Sequence, residues 1–419
     1  MWAPAMAQWP DRHGPSLDGH VGAADAAALP TSWSETENLA WKAPLHDEGH
    51  SSPVIMDGKI WLTAAIADGT KQYVLCIDEA TGKVLHDKLL FENDEVEELG
   101  GAVGFNNYAA PSPVVAKGAV YVHFGSYGTA RLDPETADVV WQRRDLECRH
   151  FRGPGSSPVL FGDKLILTFD GIDHQYTAAL DCATGDTVWR VARSTDYGDL
   201  GDDGFPKREG DFRKAYCTPG FAKVGDKIQL LSVGARAMQS YDAATGEELW
   251  TLRHSSSNAG IRPLWLPEQG LALINTGSRG ELIAVKLDET TRGDITDSHV
   301  AWVYDKVNPR FSMPIYSDGL IFQISDLGVV VCIDATDGKE LWKGRAPGNY
   351  LASPILAGEH LYFFSEDGLG TILRAGREFE KVSSNKVEAL GTTACPAVAG
   401  GAFYVRGKTH LYKIAVQHK

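Results

Sequence analysis

Eight times along this chain a proline, six times preceded by a small residue, and an apolar stretch lead into a tight turn and a second apolar run. The prolines are Pro53, Pro113, Pro158, Pro219, Pro263, Pro314, Pro354 and Pro396. A period of roughly 40–60 residues made of short apolar runs constrains the fold to a radial array of small sheets, a β-propeller. The pattern also says where to look for function. The segments just ahead of each innermost strand line the funnel end of a propeller's central channel.

The sixth copy displays the unit. Met313-Pro314-Ile315-Tyr316 opens an innermost strand and Ser317-Asp318-Gly319 is a hairpin turn, Asp-Gly supplying the positive φ such turns need. Leu320–Ile324 and Val329–Ile333 read as the second and third strands, and Lys339–Trp342 begins the fourth. The last turn recurs at Asp78–Gly82, Asp133–Ala137, Asp181–Gly185 and Asp242–Gly246, with Asp bonding the backbone ahead of it and Gly taking the left-handed conformation. The tryptophans that follow, Trp141, Trp189, Trp250, Trp302 and Trp342, are expected to pack between neighbouring blades. The copy after Pro396 is one strand short. Asn38–Ala43 carries a strand with the same terminal Trp, so it is expected to complete the eighth blade and remove the open sheet edges. The expected fold is therefore all-β: an eight-bladed propeller of four-stranded antiparallel blades over residues 38–419, preceded by an extension over residues 1–37.

Ala5-Met6-Ala7 resembles a signal-peptide cleavage site, so the protein is read as exported, periplasmic or extracellular. No apolar run reaches the roughly 20 residues that span a bilayer. The net charge of −15 excludes a nucleic-acid partner, which needs a basic face. The six cysteines are neither adjacent nor in a C-x-x-C pair, which argues against a zinc site. Two long insertions, Phe91–Asn107 and Ser194–Lys214, are acidic but lack calcium-loop spacing, and read as solvated rim loops with no metal.

Against this acidic background the residues ahead of the prolines are cationic and aromatic. They are His50, Asn107 and Tyr108, His150 and Arg152, Lys214 and Tyr216, Arg262, Arg310, and Tyr350. Converging on one channel mouth, they would concentrate an anionic ligand. The types suit β-elimination from a uronic acid: Arg or Lys neutralises the carboxylate, and His and Tyr move the protons. His150 and Tyr216 are the expected catalytic pair. His50, Asn107, Tyr108, Arg152, Lys214, Arg262, Arg310 and Tyr350 are the expected substrate-binding set. His123 and His174 read as structural.

The Asp-x-x-Thr-Gly-x-x-x-Trp turns and Ser-Pro strand starts resemble the PQQ-like repeat of quinoprotein-type β-propellers over about residues 38–416. Trp9–Pro15, His150–Pro158 and Gly348–Pro354 further resemble an exported bacterial group with PQQ-binding-like propeller repeats. The resemblance implies three relatives for comparison. PQQ-dependent alcohol dehydrogenases stack their quinone under a disulfide of adjacent cysteines, which this chain lacks, so no PQQ cofactor is expected. The assembly factor BamB has similar length and repeats but is a lipoprotein, and no lipid-bearing Cys stands near this N-terminus. Propeller-fold polysaccharide lyases share the chemistry and its placement, an analogy only. The leading expectation is a funnel that binds an acidic, uronic-acid-containing saccharide, with lyase chemistry as its extension. The alternatives are a protein-interaction scaffold of the BamB type and, last, a PQQ-dependent oxidoreductase.

Overall fold

Each of the eight prolines stands immediately before an innermost strand. A computed structural model describes residues 8–100, 106–202, 211–277 and 280–417. Its innermost strands are Val54–Met56, Val114–Ala116, Val159–Phe161, Gly220–Val224, Leu264–Leu266, Ile315–Ser317, Ile355–Ala357 and Ala397–Ala399, opening blades 1 to 8. Proline suits this place because it needs no ladder partner and holds the residue before it extended. Seven blades are antiparallel and four-stranded, and blade 4 gains a short parallel fifth strand, Gly293–Asp294. The cleavage-like Ala5-Met6-Ala7 lies outside the described residues.

The ring closes as the sequence implies. Leu39–Pro44 pairs antiparallel with His410–Ala415 and completes blade 8. Burial is greatest in the middle strands of the blades and lower in most outer ones. In blade 6 every residue of Leu320–Ile324 is buried, whereas Glu340–Arg345 alternates between half-buried and exposed.

Neighbouring blades interlock through the repeat's turn. A Cβ on Gly185 would lie 2.7 Å from the Trp141 ring of the preceding blade, and its φ is +78°. Gly82 meets Trp41, Gly246 meets Trp189 and Gly338 meets Trp302 in the same way. The indole N–H of Trp141 donates to the Cys182 carbonyl (3.1 Å), and that of Trp302 to Ala335 (3.0 Å). Glycine is thus required both by conformation and by the ring that fills its side-chain space. The exception is instructive. The turn that ends in Ala137 (φ +56°) follows a blade with His86, not Trp, near the start of its outer strand.

At the axis the pre-proline residues form a belt. Six of the eight donate their backbone N–H to the side chain of the counterpart one blade on, among them Cys395 to Ser52 (3.0 Å), Ser52 to Ser112 (2.8 Å), Ser112 to Ser157 (2.9 Å) and Ser157 to Thr218 (2.9 Å). Met313 donates to Ser353 (3.0 Å) and Ser353 to the Cys395 sulfur (3.4 Å). The belt is interrupted where Arg262 and Met313 replace the small acceptor.

Arg262 instead holds the N-terminal segment. Trp9 exchanges two backbone hydrogen bonds with Ile55 of blade 1, and Val115 of blade 2 donates to the Pro10 carbonyl. Asp11 then accepts two bonds from Arg262 of blade 5 (2.7 and 2.9 Å), with both side chains buried. His13 meets Ser353 of blade 7 (3.1 Å), and Gly19 and Val21 pair with Leu356. The segment therefore crosses the axis and touches innermost strands on opposite sides. It leaves between blades 7 and 8, where Trp33 stacks on Phe364 and tilts against Phe403.

Removing one partner of a buried ion pair leaves the other charge uncompensated, at a cost of roughly 3–5 kcal/mol. Asp11→Ala is expected to lose stability of this order in urea unfolding, and Asp11→Ala/Arg262→Met to regain most of it. A loss below about 1 kcal/mol in the single variant would show that the pair does not anchor the segment.

Candidate functional site

The loops ahead of the innermost strands enclose a central cavity of about 120 Å³, and every blade contributes to its wall. The contributions in ring order are His50, Asn106 with Ala110, Arg152 with Gly155, Tyr216, Gly260, Phe311, Leu351 and Thr393. Arg12 enters from the N-terminal segment, its Nη2 3.9 Å from the Cys395 sulfur. Its buried Nε has no hydrogen-bond partner among the described residues. Tyr216 lies close over Gly155, where a Cβ would come within 2.9 Å of the tyrosine side chain.

A second cavity of about 390 Å³ adjoins the first and shares His50, Asn106 and Thr393 with it. It opens between blades 8 and 1, and its wall includes Asn107, Arg406 and Lys408, with Asp47 and Glu48 at exposed positions.

The structure separates the residues that the sequence groups together. His50, Arg152 and Tyr216 line the central cavity, and Asn107 lines the second, its amide oxygen accepting the Ala109 N–H (2.9 Å). His150 is buried in the wall, where Nε2 accepts the Ser126 N–H (3.0 Å) and Nδ1 lies 3.8 Å from the Cys148 sulfur. The loop explains the split between His150 and Arg152. Phe151 (φ +62°), the one residue between them, and Gly153 (φ +80°), just after Arg152, are both left-handed, and they turn the loop so that His150 is buried while Arg152 lines the cavity.

The remaining expected residues lie elsewhere. Lys214 is fully buried, with its ammonium 4.2 Å from the centre of the Phe151 ring. Tyr108 donates its hydroxyl to the Glu97 carbonyl (2.9 Å), and Tyr350 donates to Pro347 (2.7 Å). Arg262 holds Asp11, and Arg310 pairs with Asp326. Sequence reasoning passes over Arg12, Phe311, Arg406 and Lys408. Arg12 stands in a segment read as an extension, and Arg406 ends a second strand, away from any proline. Among the described residues there is no cluster of His, Cys, Asp and Glu able to hold a metal ion.

Eight blades, five of them with an Asp-x-x-Thr-Gly turn or a near variant between the third and fourth strands, and an axial cavity fed by every blade define a quinoprotein-type, PQQ-like propeller. The family model described as outer membrane protein assembly factor BamB matches residues 17–198, 173–314 and 309–415, and the chain belongs to that family. Membership in this family supports an exported location, periplasmic or extracellular. Among solved structures it is similar to BamB from Moraxella catarrhalis (16% identity, TM-score 0.59, covering 90% of this chain and 99% of that one). It is also similar to the quinohemoprotein alcohol dehydrogenase of Comamonas testosteroni (13%, 0.69, 99% and 81%). A europium-containing methanol dehydrogenase matches at 12% and 0.66, covering 96% and 90%. No curated protein matches the chain. No helix among the described residues is long and apolar enough to cross a membrane.

The histidines around the axis are held neutral. Burial, followed by the nearby charges of Arg406 and Lys408, pushes His50 down to about 4. Burial lowers His150 to about 4 against the opposing pull of Asp173, and lowers His123 to about 3. An unfolded chain protonates these rings near pH 6.5. Between about pH 6.5 and 4 it binds protons that the folded protein does not. Stability is therefore full above pH 6.5 and falls as the pH drops through this window. Urea midpoints are expected to decline from pH 7 to pH 4, and ring proton shifts of His50 and His150 to titrate near 4. A midpoint near 6.5 for either ring would contradict its enclosure.

Proposed function

We propose that the protein is a non-catalytic binding propeller, a scaffold of the BamB type, whose funnel mouth takes an acidic group of its ligand. The observation that carries this reading is the cavity walled by all eight blades, with Arg12 and Arg152 entering it beside a neutral His50, on a chain of net charge −15. A local excess of cations on an acidic protein selects for anions. A uronic-acid-containing saccharide has the required chemistry: carboxylates for the guanidinium groups and sugar faces for Tyr216 and Phe311.

Binding is favoured over elimination by the position of His150. Its Nε2 already accepts the Ser126 N–H, leaving that nitrogen unable to take a substrate proton. The central cavity, at about 120 Å³, is also smaller than the roughly 300–1,000 Å³ that encloses a drug-sized ligand. It suits a terminal group. A reading without quinone is supported by that size and by the lack of adjacent cysteines.

Calorimetric titration with oligogalacturonate is expected to give saturable binding that weakens with salt, and a neutral oligosaccharide of equal length to give none. Absorbance of unsaturated uronates is expected to stay flat. Equal binding of the neutral sugar, or no binding of the acid, removes the acidic-ligand reading. A rise in absorbance that Tyr216→Phe abolishes would restore the lyase.

A further inference from the structure

Four arginines are buried among the described residues: Arg193, Arg213, Arg262 and Arg406. Three are matched with a buried or nearly buried aspartate. Arg193 holds Asp170 through two bonds (2.5 and 2.7 Å), Arg213 pairs with Asp199, and Arg262 holds Asp11. This is the ordinary solution, because a buried cation without a counter-charge is costly.

Arg406 departs from it. It is 3% exposed, yet no described carboxylate reaches it. Its Nη1 alone is engaged, donating to the Ser51 carbonyl (3.2 Å), the Ser51 hydroxyl (2.5 Å) and the Thr63 carbonyl (2.8 Å). These bonds hold the guanidinium across the seam between blades 8 and 1. Gly49 makes room for it, since a Cβ there would lie 2.1 Å from Nη2. Arg406 lines the 390 Å³ cavity, and Lys408 stands two residues on in the same wall. His50, held neutral, stands beside them in the same wall. Of the acidic residues at the opening, Asp47 is already bound to His46 (2.8 Å). The geometry accords with the direction in which each group is shifted: burial pushes Arg406 down to about 9, whereas in Arg193 the pull of Asp170 outweighs burial and raises it.

We propose that the cavity between blades 8 and 1 is a carboxylate-binding site, in which Arg406 is the fixed partner of the ligand's carboxylate and Lys408 the mobile one. The ligand supplies the counter-charge that aspartate supplies to the other three arginines. The proposal deepens the acidic-ligand reading, and rests on it for the class of ligand, by adding a second place where acid is held, in the cavity beside the funnel. His50, shared by both cavities, marks the passage between them.

The test uses glucuronate, with glucose as the neutral control, and follows the Arg406 Nε–H and His50 ring resonances of the full chain at neutral pH. Glucuronate is expected to shift both saturably, and glucose neither. Lys408→Gln, at an exposed position, should weaken the apparent affinity at least threefold. Arg406→Lys keeps the charge but loses the planar fork, and should weaken it about tenfold. Arg406→Gln should abolish it, in protein whose circular dichroism matches the native chain. No saturable shift, an equal shift with glucose, or unchanged affinity in both Lys408→Gln and Arg406→Lys overturns the site. If the native chain binds oligogalacturonate and these two variants bind it equally well, the funnel reading stands and this site falls. If oligogalacturonate fails to bind but glucuronate still shifts Arg406, the funnel reading falls and this site stands.

Discussion

One backbone N–H per blade points into the crowded centre of the ring, where water has little access and no β-ladder partner exists. An unpaired buried donor costs about 1–3 kcal/mol, and eightfold repetition multiplies the problem. At six of the eight blades the chain solves it with the residue before the proline. A small hydroxyl there accepts the neighbour's N–H while its own N–H goes one blade further. Sequence motif and ring closure are thus one device: Ser-Pro or Thr-Pro fixes the extended backbone and supplies the acceptor. Cys395 serves the same role with sulfur, accepting from Ser353.

The place where the belt is interrupted is the place where the channel is crossed. Arg262 cannot act as a short acceptor, but it reaches Asp11, and Asp11 ties down the segment that carries Arg12 and His13. The N-terminal segment is therefore part of the axial architecture. It bridges blades 1, 2, 5 and 7, and delivers into the cavity a cation that no blade encodes.

The ring was legible in the sequence because its determinants are local. A proline, a hairpin Asp-Gly and a Thr-Gly-x-x-x-Trp turn each specify geometry within a few residues, and eight copies reinforce one another. The closing strand was legible because one copy lacked a partner. The site was legible only in part. Tyr216 and Arg152 sit where their spacing from a proline puts them. His150 does not, because left-handed Phe151, between it and Arg152, turns the loop. The Asp11–Arg262 pair spans 251 positions of sequence, and nothing local to either residue announces the other. Arg406 was invisible for a different reason. It lies at the funnel end of a second strand, where the repeat carries no marker.

The crossing by the N-terminal segment also limits what the channel can do. With Trp9 to Val21 laid over innermost strands of several blades, the axis is obstructed, and the central cavity is left as a small recess with Arg12 in it. An obstructed axis cannot thread a polymer. It can receive a terminus or a side group, which must leave by the route it entered. The larger cavity adjoins the recess on one side only, at the seam between blades 8 and 1, so a ligand longer than its terminal group is directed there. The seam is also where the ring is closed by a strand from the opposite end of the chain, Leu39–Pro44. Binding at this seam would join the blade that closes the ring to the blade that starts it, through Arg406, Ser51 and Thr63. Occupancy and ring closure would then reinforce one another, since a ligand that favours the closed seam stabilises the closed ring.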